Sequence, residues 1–194
     1  MVRLRNIVGV LVAVIGLGLA ACGGGGGLPG SAPRASLAGA LMLVTGTGVG
    51  PLGAGTGYAN AALTAALPGY RIAGMTMATE SRTQSAFGVY LNGILVLQVL
   101  SGGGNGRIGA VHAVTDAVAG PNGERIGMSY GQIQPNRSSC RAGTGNWLGM
   151  AICESRGAAN VKLVFSVLNY RSGALPSAEA LQSARLNRII WTPA

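Results

Sequence analysis

Apolar positions along this chain fall in short runs cut by glycine and proline, with one longer exception at the front. That exception covers residues 7–21, about 15 positions without a charge. It is shorter than the roughly 20 residues a membrane-crossing helix needs. Residues 41–45 form a brief apolar run before a glycine-rich stretch at 46–57. Residues 59–67 have helical propensity, with Leu63 and Leu67 four apart on one face, and Pro68-Gly69 stops the helix. Strand patterns follow at 70–77, 87–92 and 94–100, the last two joined by the hairpin signal Asn92-Gly93. After a turn at 102–106, residues 107–114 alternate, with Ile108, Ala110 and one of Val111 or Val114 competing for the core face. Gly120-Pro121-Asn122-Gly123 breaks the chain again.

The second half runs in a similar order. Residues 127–134 read as a short helix packed through Ile126, Tyr130 and Ile133, and strands are expected at 147–153, 161–168 and 186–191. Pro176-Ser177 opens another short helix, with Ser177 as N-cap and Glu179 in the first turn, where the helix dipole favours negative charge. Residues 87–102 correspond to 162–173, and 107–116 to 185–193. The expected fold is α+β: two α-β-β-β repeats forming an antiparallel sheet, with helices on one face.

The front of the chain has its own logic. Arg3 and Arg5 precede the apolar stretch and small residues close it, which are the parts of a secretory signal. Leu19-Ala20-Ala21-Cys22 resembles the bacterial lipobox, L-[AS]-[AG]-C, with every position filled. We therefore expect residues 1–21 to be a cleaved lipoprotein signal peptide and Cys22 to be lipidated. Two or more acyl chains anchor a protein stably where one does not. Gly23 stands where an Asp would favour inner-membrane retention, so the expected address is the outer membrane, lipid-anchored and facing the periplasm. Residues 22–40 include an unbroken glycine run and have little to bury; they read as a flexible tether a few tens of ångströms long. Residues 41–194 remain as a single domain.

Charge and cysteine content refine this. The net charge of +9 becomes +7 once Arg3 and Arg5 leave with the signal. All the basic residues but Lys162 are arginine, a bias that GC-rich coding explains in part; attraction to anionic lipid headgroups or lipopolysaccharide is the functional alternative. The charges form no run, and an exported protein is a poor candidate for nucleic acid. Three cysteines are awkward in an oxidising compartment. Lipid on Cys22 leaves Cys140 and Cys153 as an even pair, either a disulfide or two free buried thiols.

The spacing of Gly48-Val49-Gly50, Pro68-Gly69-Tyr70-Arg71, Asn92-Gly93, Gly106-Arg107-Ile108, Ile126-Gly127, Cys140, Cys153 and Arg188-Ile189-Ile190-Trp191 resembles the YfeY-like lipoproteins. The resemblance spans most of residues 44–191 plus the lipobox. It implies an α+β fold, a Cys140–Cys153 bridge and an outer-membrane location. The family is RpoE-regulated, which implies a link to envelope stress, and its domain has no assigned activity. This chain departs from it in being richer in Gly and Ala and more basic.

Other motifs invite a catalytic or cofactor reading. Gly48-Val49-Gly50-Pro51-Leu52-Gly53 fits G-x-G-x-x-G, but glycine is abundant and Pro51, Gly53, Gly55 and Gly57 make a poor helix opening. Gly127-Met128-Ser129-Tyr130-Gly131 fits the G-x-S-x-G elbow, yet the sole histidine, His112, precedes Ser129 instead of following it. Asp116 would have to orient His112 from four residues away in a strand-like run. One histidine and a cysteine pair are too few for a zinc site, and the acidic residues Glu80, Asp116, Glu124, Glu154 and Glu179 are dispersed. Trp147, Trp191, Tyr90 and Tyr170 read as core before they read as a ligand face.

The sequence therefore points to a non-catalytic binding or structural protein of the cell envelope, without a cofactor or metal. Its partner would be an envelope protein, peptidoglycan or lipopolysaccharide. The alternatives are a small periplasmic hydrolase using Ser129 and His112, or an inhibitor of a periplasmic enzyme.

Overall fold

The computed structural model describes residues 39–194. The expected signal peptide, Cys22 and nearly all of the expected tether lie outside the described residues.

In chain order the elements are β1 (Met42–Leu43), β2 (Gly48–Val49), β3 (Leu52–Gly53), α1 (Asn60–Ala66), β4 (Arg71–Ala78), β5 (Thr83–Leu91), β6 (Ile94–Ser101), β7 (Ile108–Ala113), β8 (Val118–Ala119), α2 (Tyr130–Ile133), β9 (Arg141–Ala142), β10 (Met150–Ser155), β11 (Ala158–Ser166), α3 (Ala178–Gln182) and β12 (Arg185–Trp191). One eight-stranded sheet dominates, in the order β4-β5-β6-β7-β12-β11-β10-β9, with every neighbouring pair antiparallel.

The antiparallel sheet is as expected, but strand outweighs helix, and the fold is mostly β instead of evenly α+β. Nor does the order follow two α-β-β-β units. Five strands, β4 to β8, follow α1 before α2, and α3 separates β11 from β12. Local chemistry accounts for the helices that do form. Ser177 caps α3 by accepting from the Ala180 amide at 3.2 Å, and Gly69 takes φ +85° just past α1. Asn92 and Gly93 adopt φ 50° and 82°, the left-handed pair that a tight hairpin requires. Residues 147–149 are not strand: Trp147 ends a 3-10 turn (Gly145–Trp147), and Gly149 turns the backbone at φ +86° before β10 begins.

The first face of the sheet holds the main core. Leu63 and Leu67 from the α1 region, Tyr130 and Ile133 from α2 and Leu181 from α3 pack with Val89, Leu97, Val111, Leu163, Phe165, Ile189 and Trp191. Met42, Val44, Val49 and Leu52 from the N-terminal strands close the same cluster. Strict alternation does not decide who faces it. A bulge between Leu100 and Ser101 rephases β7, so Ile108 and Val111 share the main core while Ala110 turns to the other face.

The second face carries smaller apolar clusters, Trp147 with Ile152, Val164 and Ile190, and Met77 with Ala86 and Leu100. Four bulged registers add coil to the sheet. As a result, the turn after β4 at one edge reaches the loop after β9 at the other. The Asn146 amide donates to the Glu80 carbonyl at 3.0 Å, and the Asn146 side-chain amide donates to the Thr79 carbonyl at 2.9 Å. Among the described residues, no helix is long and apolar enough to cross a membrane.

Candidate functional site

Three apolar strands that lie side by side, β6, β7 and β12, each carry a polar residue on the second face. Gln98 sits directly across from His112, and Arg188 approaches both from β12. The Arg188 guanidinium donates through Nη1 to Gln98 Oε1 at 2.9 Å and to His112 Nδ1 at 3.1 Å. Arginine stays protonated in proteins and has no acceptor, so His112 Nδ1 must accept and the ring proton belongs on Nε2. His112 is only 3% exposed. Burial, and then the Arg188 charge, push its pKa down to about 3, so the ring is neutral across the physiological range. Burial also pulls Arg188 below the usual arginine range.

Trp147 roofs this network. Its ring lies 6.1 Å from the His112 ring and 5.7 Å from the Arg188 guanidinium carbon, within cation–π range. The loop that holds Trp147 is pinned by Glu80. The Glu80 carboxylate accepts from Arg141 at 2.6 and 2.7 Å, from the Thr144 amide at 2.9 Å and from the Thr144 hydroxyl at 3.1 Å. Among the described residues Arg188 has no carboxylate partner. The arrangement holds a neutral histidine and a half-buried cation in fixed relation; it lacks a free base at neutral pH.

The residues singled out in the sequence are not gathered at this network. Ser129 is the N-cap of α2, where its Oγ accepts from the Gln132 amide at 3.2 Å while its own amide donates to Gln132 Oε1 at 2.8 Å. Because α2 packs on the first face and His112 faces the second, the sheet stands between them. Asp116 uses its backbone carbonyl to accept from Arg125 at 2.7 Å and does not orient His112. Gly48 to Gly53 form the β2–β3 hairpin, where a Cβ on Gly48 would lie 2.1 Å from the Leu52 carbonyl oxygen. Close backbone packing explains those glycines, and the next helix begins only at Asn60.

Cys140 and Cys153 are joined in a disulfide, which settles the choice between a bridge and two free thiols. Cys22 lies outside the described residues. Among the described residues, no group of three or more His, Cys, Asp and Glu could hold a metal ion.

Another feature missed in the sequence is a groove of about 540 Å³ between the loop before β10 and the loop after β11. Leu148, Leu168, Tyr170, Arg171 and Arg185 line it, and no acidic residue does. The signal that could have revealed the interior network was a lone polar residue inside an apolar strand, as in Leu97-Gln98-Val99 and Val111-His112-Ala113.

With this geometry in view, comparison with known proteins places the chain. Residues 31–193 match the family described as "Protein of unknown function (DUF1131)". The chain belongs to this family. A crystal structure of the uncharacterized protein yfeY from Escherichia coli is similar, with a TM-score of 0.61 at 21% identity, covering 75% of this chain and 96% of that one. At that identity the likeness establishes a shared fold, and the YfeY-like resemblance read from the short motifs holds at the level of the domain. No curated protein matches the chain.

Proposed function

We propose that the protein is an outer-membrane lipoprotein, anchored through Cys22 and facing the periplasm, whose folded domain serves the envelope by binding instead of catalysis. One observation carries this reading. The Cys140–Cys153 bridge uses two of the three cysteines, and the remaining one is the cysteine that completes the lipobox Leu19-Ala20-Ala21-Cys22. A structural disulfide favours an oxidising compartment, and a lipobox cysteine needs to remain outside such a bridge to be lipidated.

The placement of Ser129 and His112 favours binding over the hydrolase alternative. Ser129 serves a helix cap, and His112 is buried with Nδ1 occupied by Arg188. The test is expression of the wild type and Cys22→Ala in a bacterial host, with mass analysis of the mature N-terminus. The wild type should carry acyl chains on Cys22 and fractionate with the outer membrane, while the variant accumulates as precursor. Normal maturation of Cys22→Ala would overturn the anchor, and hydrolytic turnover lost on Ser129→Ala would overturn the non-catalytic role.

A further inference from the structure

We infer that the groove lined by Leu148, Leu168, Tyr170, Arg171 and Arg185 docks on an anionic phospholipid surface; this rests on the lipid-anchor reading above and extends it to the orientation of the domain.

Two loops build the surface. Asn169 takes the left-handed conformation at φ 60°, which turns the chain tightly at Leu168-Asn169-Tyr170 and leaves Leu168 89% exposed. The neighbouring loop presents Leu148, which is 45% exposed. The two loops come close backbone to backbone, since a Cβ on Gly149 would fall 2.0 Å from the Tyr170 carbonyl oxygen. Within its own loop Tyr170 donates its hydroxyl to the Ala174 carbonyl at 3.2 Å.

Charge selects the occupant. Arg171 and Arg185 have no carboxylate partner among the described residues; Arg185 donates only to the Gly127 carbonyl, at 3.2 Å. Three of the five acids are engaged elsewhere: Glu80 with Arg141, Glu154 with Lys162, and Glu124 buried against Asn122 and Ser155, and neither Asp116 nor Glu179 lines the groove. An apolar tip, an aromatic ring and flanking arginines together suit the boundary between headgroups and acyl chains. A lipid on Cys22 adds proximity. The tether of residues 22–40 keeps the domain within a few tens of ångströms of the bilayer, so even weak docking is strongly populated.

The experiment uses the mature, lipidated chain in vesicles of phosphatidylcholine alone or of phosphatidylcholine and phosphatidylglycerol at three to one, read by amide hydrogen exchange. Protection confined to residues 145–149 and 167–173, present only with phosphatidylglycerol and weakened by salt, is the expected result. Arg171→Gln and Arg185→Gln should each lower the docking equilibrium roughly fivefold, and Leu168→Asn roughly tenfold. As an exposed residue, Leu168 can change without loss of the fold. Equal protection in both vesicle types, protection at another face, or none at all overturns the inference while leaving the anchor intact. If Cys22 carries no lipid, the anchor reading fails separately, and co-sedimentation of the unanchored chain with phosphatidylglycerol vesicles still tests the groove. Protection of the same loops only when envelope extract is added would identify a protein partner and overturn the lipid assignment.

Discussion

Glu80 and Arg141 stand at opposite ends of the strand order, yet their side chains meet in a two-pronged ion pair at 2.6 and 2.7 Å. The pair ties the turn after β4 to the strand β9 and so keeps the Trp147 loop over the second face. Arg141 is 57% exposed and Glu80 19%, so the pair is screened on one side, and its worth is that of a good surface bridge with added amide bonds.

Glu80→Gln should lower stability by about 1–2 kcal/mol in urea unfolding followed by tryptophan fluorescence. The pH dependence has a definite sign. Hydrogen bonding from Arg141 holds the Glu80 pKa below its ordinary 4.5. The contribution is complete above that unfolded value and is lost as pH falls through the folded one. The gap between wild type and Glu80→Gln should therefore close in acid.

His112 is the only histidine, so its ring resonances need no assignment by mutation. They should not titrate between neutrality and moderate acid, since the folded pKa lies at about 3. The unfolded chain takes up its proton near the ordinary 6.5, so stability is full above that value and declines as pH falls toward 3. Replacing His112 by Gln should flatten that limb of the stability curve. An NMR midpoint near 6.5 would contradict the buried Arg188 contact.

Reduction of Cys140–Cys153, which are 13 residues apart, should destabilise the domain by about 3 kcal/mol in the chain-entropy account. The check is a denaturant midpoint with and without reductant, together with the mass gained on alkylating the released thiols. Cys153 is fully buried and Cys140 only partly, so alkylation of Cys153 should require both reduction and opening of the fold.

Ser129→Ala should cost about 1 kcal/mol through loss of the α2 cap. It should leave the His112 resonances where they are, because the two residues share no contact. Thermal unfolding and a proton spectrum would together separate this structural role from a nucleophile's.

Local chemistry made several features legible in the chain alone. Asn92-Gly93 had to turn because both positions accept positive φ, Pro68-Gly69 had to end α1, and Ser177 had an amide to cap. The family and the cysteine pairing were likewise readable, from short motifs and from the odd cysteine count. Which face each residue of β7 occupies was not, because the bulge between Leu100 and Ser101 is set by pairing between strands and breaks the period-two pattern. The same holds for the network on the second face. Gln98, His112 and Arg188 are up to 90 residues apart. Only the strand order β6-β7-β12 makes them neighbours, and only the coil of the sheet brings Glu80 across to Arg141. Turns and caps act within a few residues, whereas strand order and sheet coil depend on the whole chain.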